Sequence, residues 1–198
     1  MRIASRFGAV VHLDGILLAL LIGSLGINVY LGVARHRSGV SAPSRPELIA
    51  EGTQAPSFEG TDVKGHPVTL VYSRDRRNTL LYVFSPTCHW CERNVANIRA
   101  VINARSDIHV VGINIGPAMD ITSASRQPFA DILTPTRATA QAYRFSGTPA
   151  TILISPSGKI LKTWAGAYAG PIGTDVSKVL AVSLPGLLDE PPVQRAGG

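Results

Sequence analysis

Two cysteines occur in the chain, and they sit three apart in Cys88-His89-Trp90-Cys91. A CxxC pair opens and closes as a dithiol and a disulfide, so it points to redox chemistry. The competing chemistry is metal binding, but a tetrahedral zinc site wants four ligands, and no second cysteine pair exists. A static bridge closing so short a loop would add little by restricting the unfolded chain. Cys88 is expected to be the exposed attacking thiolate. Cys91, one turn on and facing inward, is expected to resolve the mixed disulfide. The exchange needs neither a metal nor a dissociable cofactor. His89 and Trp90 are expected to tune the redox poise: a protonated His89 beside the Cys88 thiolate would stabilise the reduced form, and Trp90 would meet a partner.

The elements that must position this pair are legible on either side of it. Residues 79–85, Thr-Leu-Leu-Tyr-Val-Phe-Ser, are apolar and bounded by turn formers, as a buried strand is. Residues 89–105 lack Gly and Pro and place Val95, Ile98, Val101 and Ile102 on one helical face. The pair therefore lies where a strand hands over to a helix. The unpaired N–H groups and partial positive charge of a helix start favour thiolate over thiol.

Further along, short strands are expected at 58–61 and 67–72, around the turn-prone Asp62-Val63-Lys64-Gly65. A near-continuously apolar strand follows at 108–115. A weakly marked helix is expected within 120–133 and another at 137–143. A hairpin of 150–154 and 160–164 surrounds a Pro156-Ser157-Gly158-Lys159 turn, and a closing helix spans 172–182.

Composition bounds the rest. At 45% hydrophobic and 16% charged residues, the chain is globular with an apolar appendix, not disordered. The appendix is residues 15–34, from Gly15 to Ala34, which contain no Asp, Glu, Lys or Arg. As a helix this stretch would span about 30 Å, the thickness of a bilayer core. It is longer than a secretory leader's apolar region, so an uncleaved membrane anchor is expected, with cleavage after Ala34 or Ala42 as the alternative. Lys and Arg counts on its two sides do not decide its orientation. The net charge of +6 sits mostly at this end: residues 1–45 carry +4 and residues 46–198 carry +2. The small cluster Arg74, Arg76 and Arg77 has no interleaved aromatics, so no nucleic-acid footprint is present. The chain thus divides into a flank (1–14), an anchor (15–34), a Ser/Pro/Gly/Arg-rich linker (35–52), a domain (53–184) and a flexible tail (185–198).

A β-α-β half followed by a β-β-α half, with active cysteines at the first strand–helix junction, resembles the thioredoxin plan. Residues 53–182 resemble the membrane-anchored TlpA/ResA-like group of thioredoxin-like proteins. The motifs that carry the resemblance are Ala55-Pro56-Ser57-Phe58, Cys88-His89-Trp90-Cys91, Gly147-Thr148-Pro149-Ala150-Thr151 and Ser155-Pro156-Ser157-Gly158-Lys159-Ile160. The resemblance implies an α/β thioredoxin-like fold: a central mixed sheet flanked by helices, an N-terminal β-hairpin extension and one N-terminal transmembrane helix. It implies a thiol-disulfide oxidoreductase in the inner membrane, single-pass, with its domain facing the periplasm. Its partners would be extracytoplasmic protein thiols or disulfides and a membrane redox partner. X-Pro bonds in folded proteins are mostly trans, but the resemblance implies a cis Thr148–Pro149 bond facing the CxxC pair. Thr148 would then offer backbone hydrogen bonds to a client strand, and Pro149 would shape the loop.

The chain departs from this family where an acid usually assists the inner thiol. Tyr82 occupies the position of a buried Asp in thioredoxins, and Asn94 that of a Glu in ResA-like reductases. Glu92, His89 or water is left to serve. Two other functions compete. Copper handling would use the two thiolates with His89 or His109, although His109 falls in an expected strand. A thiol peroxidase would need a Pro and a Thr where this chain has Leu81 and Ser85. A redox-inert interaction domain would leave the CxxC pair unexplained.

Overall fold

The structure is a computed structural model and describes residues 5–37, 48–73 and 76–188. It divides into two units, Met1–Ser44 and Arg45–Gly198. The first contains one helix, α1 (Ser5–Arg37). Its described side chains, at positions 15 and 17–33, are all exposed. Among the described residues no helix is long and apolar enough to cross a membrane. The expected span over residues 15–34 is therefore not borne out among the described residues, and the ends of that stretch lie beyond the described side chains. The expected linker falls largely on residues 38–47, the basic cluster partly on Arg74, and the tail mostly on residues 189–198, all outside the described residues.

The second unit is built on one seven-stranded mixed sheet in the order β2-β1-β5-β4-β3-β6-β7. Its strands are β1 (Phe58–Asp62), β2 (Pro67–Leu70), β3 (Asn78–Phe84), β4 (Ile108–Asn114), β5 (Asp131–Pro135), β6 (Ala150–Ile154) and β7 (Ile160–Ala165). The three central strands β3, β4 and β5 run parallel, and the outer pairings are antiparallel. β3 is buried at every position after Asn78, which explains its unbroken apolar run. Alternate residues of β3 feed two cores. Leu80, Tyr82 and Phe84 face one that includes Ile98, Val101, Val176 and Leu180, whereas Leu81 and Val83 face another with Phe58, Tyr143 and Ile152.

The helices are α2 (His89–Arg93), α3 (Val95–Ala104), α4 (Ile121–Ser125), α5 (Arg137–Ala142) and α6 (Gly170–Leu180). Two of the sequence-based expectations need correction. The helix expected over 89–105 is broken at Asn94, whose N–H reaches both Trp90 O (3.1 Å) and Cys91 O (3.2 Å). The helix expected within 120–133 shrinks to α4, and β5 follows it, lying between β1 and β4 in the middle of the sheet. β5 is short, begins with Asp and ends with Pro, so its pairing comes from its neighbours rather than from its own pattern. The hairpin turn forms as its residues dictate: Gly158 has φ +80°, and Gly158 N donates to Ser155 O at 2.8 Å.

Candidate active site

Cys88 and Cys91 form a disulfide, with Cα atoms 5.2 Å apart. β3 ends at Phe84, and Ser85, Pro86 and Thr87 carry the chain to α2. Thr87 N donates to Ser85 Oγ at 3.3 Å and Cys88 N to Ser85 O at 3.1 Å, which closes this connection into a tight turn. Cys88 caps α2 in extended conformation, and Cys91 N donates to its sulfur at 3.0 Å. The Cys88 sulfur therefore faces the unpaired N–H end of the helix, where negative charge on sulfur is favoured. Because α2 is a single short helix, this help comes from local N–H groups rather than from a long macrodipole. Cys88 is half-buried and Cys91 buried.

His89 and Trp90 lie on the exposed side of α2. Trp90 is 50% exposed, with the His89 ring edge-on to it at 5.7 Å. The Arg93 guanidinium sits 5.1 Å from the Trp90 ring centroid, a cation–π contact. Arg93 is held in turn by residues past α6: its Nε donates to Leu188 O at 2.8 Å, and Leu188 N donates to Arg93 O at 2.8 Å. The first residues of the expected flexible tail are thus bonded against the active-site helices.

The Thr148–Pro149 bond is cis, as the resemblance implied. Register places it beside the cysteines' strand: Val83 of β3 pairs with Ala150 of β6, so Pro149 lies level with the end of β3 from which the CxxC turn departs. Pro149 is buried and its carbonyl accepts from Gly166 N at 2.8 Å. A cleft of about 200 Å³, lined by Leu48, Gly147, Thr148, Pro149 and Ala165 among others, opens along this loop. His109 is not brought to the cysteines. It pairs with Thr79 at the opposite end of β3, and its Nε2 lies 2.8 Å from Asp131 Oδ2.

The sequence expectations did not include the buried polar cluster behind Cys91, although Tyr82 and Asn94 in it are the positions that depart from the resemblance. Asn94 and Asn97 are fully buried on the inward side of the helix break. Asn94 Nδ2 donates to the Tyr82 hydroxyl at 3.1 Å, and Asn94 Oδ1 accepts from Tyr168 N (3.0 Å) and Asn97 Nδ2 (2.8 Å). Asn97 Oδ1 accepts from Gly186 N at 2.9 Å. The two positions that depart from the resemblance, Tyr82 and Asn94, are therefore bonded to each other. Burial pushes the Tyr82 hydroxyl up to about 12, so it is neutral at physiological pH. Among the described residues no Asp or Glu is buried. Glu92, a residue left to assist the inner thiol, is exposed. Polar residues at helical spacing on an apolar face were the readable sign of this cluster.

Residues 52–163 match the AhpC/TSA family model. The thiol-disulfide oxidoreductase ResA of Bacillus subtilis (strain 168) is 27% identical over 160 residues, covering 77% of this chain and 82% of ResA. Two solved structures share the fold. The thioredoxin domain of a thiol-disulfide oxidoreductase from Bacteroides vulgatus has a TM-score of 0.52 at 20% identity, covering 67% of this chain and 99% of that one. A thiol:disulfide interchange protein DsbE, so described, from Chlorobium tepidum has a TM-score of 0.51 at 20% identity, covering 68% and 96%. With a CxxC disulfide at the β3–α2 junction of a thioredoxin-like sheet, the chain belongs to the AhpC/TSA family and is of the TlpA/ResA-like, thioredoxin-fold kind.

Proposed function

We propose that the protein is a thiol-disulfide oxidoreductase that exchanges disulfides with protein clients through Cys88 and Cys91. The observation that carries this reading is the asymmetric disulfide: Cys88 half-buried at the start of α2, Cys91 buried beneath it. A client thiolate attacks Cys88 Sγ, the Cys88–Cys91 bond breaks, and the electron pair leaves on Cys91 Sγ. In the reverse direction the Cys91 thiolate attacks Cys88 Sγ in the mixed disulfide and expels the client's thiolate. His89 and Trp90 set the poise of the pair and meet the client. Thr148 and Pro149 line the cleft beside it and hold the client's extended backbone. With Cys91→Ser, the mixed disulfide has no resolving thiol, so disulfide-linked clients accumulate and are released by reductant. Absence of such adducts, with Cys88 shown to be reactive, would overturn the reading.

The same proposal places the domain outside the cytoplasm, held at the inner membrane by residues 15–34 and served by a membrane redox partner. Support comes from the apolar side chains of α1, which are exposed all round the helix. The amide of Asn28 donates to Ser24 O within the helix at 2.7 Å, which suits an apolar medium. Alkaline carbonate washing of cell membranes should leave the full chain in the pellet. Release into the wash, or a mature chain starting after Ala34 or Ala42, would remove the anchor.

A further inference from the structure

The Tyr82 hydroxyl, in the buried cluster that also holds the inner cysteine, has a proton to spare, and it is bonded to Asn94 rather than to the disulfide sulfur. Asn94 Oδ1 already accepts from Tyr168 N and Asn97 Nδ2, so the side-chain amide is oriented and Nδ2 is the donor to Tyr82. The hydroxyl therefore accepts from Asn94, and among the described residues its own proton has no acceptor. Tyr82 is only 2% exposed, so bulk solvent does not reach it. An unused donor in a buried site is costly, which raises the question of what it serves.

Tyr82 and Cys91 belong to one buried cluster. Asn94 lies three residues after Cys91, which makes their side chains neighbours on the inward face, and it is Asn94 that holds the hydroxyl. In the disulfide, the Cys91 sulfur is a poor acceptor. When the disulfide opens, the same sulfur gains an electron pair and a charge, and among the described residues no carboxylate or cation is buried. We propose that the Tyr82 hydroxyl then donates a hydrogen bond to the Cys91 thiolate, so that Tyr82 stabilises the leaving sulfur on opening and the attacking sulfur on resolution.

The O–H bond is not broken in this step. Burial holds the hydroxyl well above the ordinary thiol value of about 8.5, so it donates a hydrogen bond and keeps its proton. The thiolate's eventual proton comes from solvent or from the client's thiol. The other titratable groups on the surrounding elements are engaged or exposed. On α2, His89 and Glu92 are exposed and Arg93 is held by Leu188 and Trp90. Before α6, the Tyr168 hydroxyl is paired with Thr151 Oγ1 at 2.9 Å. On α6, Asp175 takes Trp164 Nε1 (2.8 Å) and lies 3.4 Å from Lys162, and Lys178 stands in the last turn. Asp120, at the start of α4, accepts from Ser123 N.

This inference rests on the exchange reading above, but its test needs no client. In full-length protein carrying Cys88→Ser, Cys91 is the sole thiol, and its pKa follows from the pH dependence of alkylation. Adding Tyr82→Phe should raise that pKa by about one to two units, the worth of one hydrogen bond to a charged group. In otherwise wild-type protein, Tyr82→Phe should slow opening of the disulfide by a small thiol about tenfold or more, because the departing thiolate loses its donor. An unchanged pKa and an unchanged rate would overturn the proposal. If Tyr82→Phe fails to fold, 3-fluorotyrosine placed at position 82 decides the matter: it keeps the shape, strengthens the donor and should lower the Cys91 pKa, and no change would overturn the proposal. Failure to trap clients with Cys91→Ser would overturn the exchange reading while leaving these thiol measurements free to come out either way.

Discussion

Tyr82 is placed by a glycine and a ring as much as by its own strand. Across the sheet it pairs with Gly112 of β4 on one side and Thr151 of β6 on the other. A Cβ on Gly112 would stand 2.6 Å from the Phe129 ring, so the glycine provides the room in which that ring lies. Phe129 then stacks on Tyr82 at 5.6 Å and packs on Phe84 at 5.4 Å. The residue that precedes the CxxC turn and the residue that reaches Asn94 are thus braced by one aromatic wedge. Gly112→Ala should push the wedge and cost about 1–3 kcal/mol, the usual penalty for overfilling a packed core. A lowered urea midpoint with unchanged slope is expected, partly restored by adding Phe129→Leu. A wild-type midpoint would mean that Phe129 moves aside freely and braces nothing.

Among the elements, those with their own periodicity were legible in the sequence and those that borrow their structure from neighbours were not. β3, β4 and β6 are runs of apolar residues between turn formers, and each fell close to its expected place. The hand-over from β3 to α2 was legible for the same reason, and it located Cys88 and Cys91. The break at Asn94 was not legible, because neither Gly nor Pro marks it. It is stabilised by bonds to Tyr82 and Tyr168, which lie far from it in the sequence, as well as by a local bond to Asn97. β5 was hidden because a short strand with Asp and Pro at its ends reads as a loop or a helix until β1 and β4 are placed beside it. The segment after α6 was hidden by its Pro and Gly content, yet Gly186 and Leu188 bond to Asn97 and Arg93. Element by element, the cysteines were visible in the sequence, whereas the polar cluster that supports them became visible only once three separate segments had converged.

On the scale of the whole domain, the same preference for neutral buried polar groups makes alkali its weak side. Tyr72, Tyr82, Tyr143 and Tyr168 are all buried, while no described carboxylate is. Burial raises all four phenols above their ordinary value of about 10, Tyr82 and Tyr143 to about 12. Tyr72 and Tyr143 share a hydroxyl–hydroxyl hydrogen bond, and Tyr143 donates to Pro56 O at 2.7 Å, which ties the start of the domain to the end of α5. Below pH 10 these groups are protonated in both folded and unfolded chains, and they impose no pH dependence. Above pH 10 the unfolded chain loses phenolic protons that the folded chain retains, so stability falls as pH rises towards 12. Each group contributes a slope of about 1.4 kcal/mol per pH unit, so four together exhaust a stability of about 5–15 kcal/mol within a few units. Phenolate absorbance and far-ultraviolet dichroism should therefore change together in one cooperative step above about pH 11. Tyr82→Phe should make that step shallower. A gradual phenolate titration centred near pH 10 with the fold intact would show that these hydroxyls reach water, and the sealed polar cluster behind Cys91 would go with them.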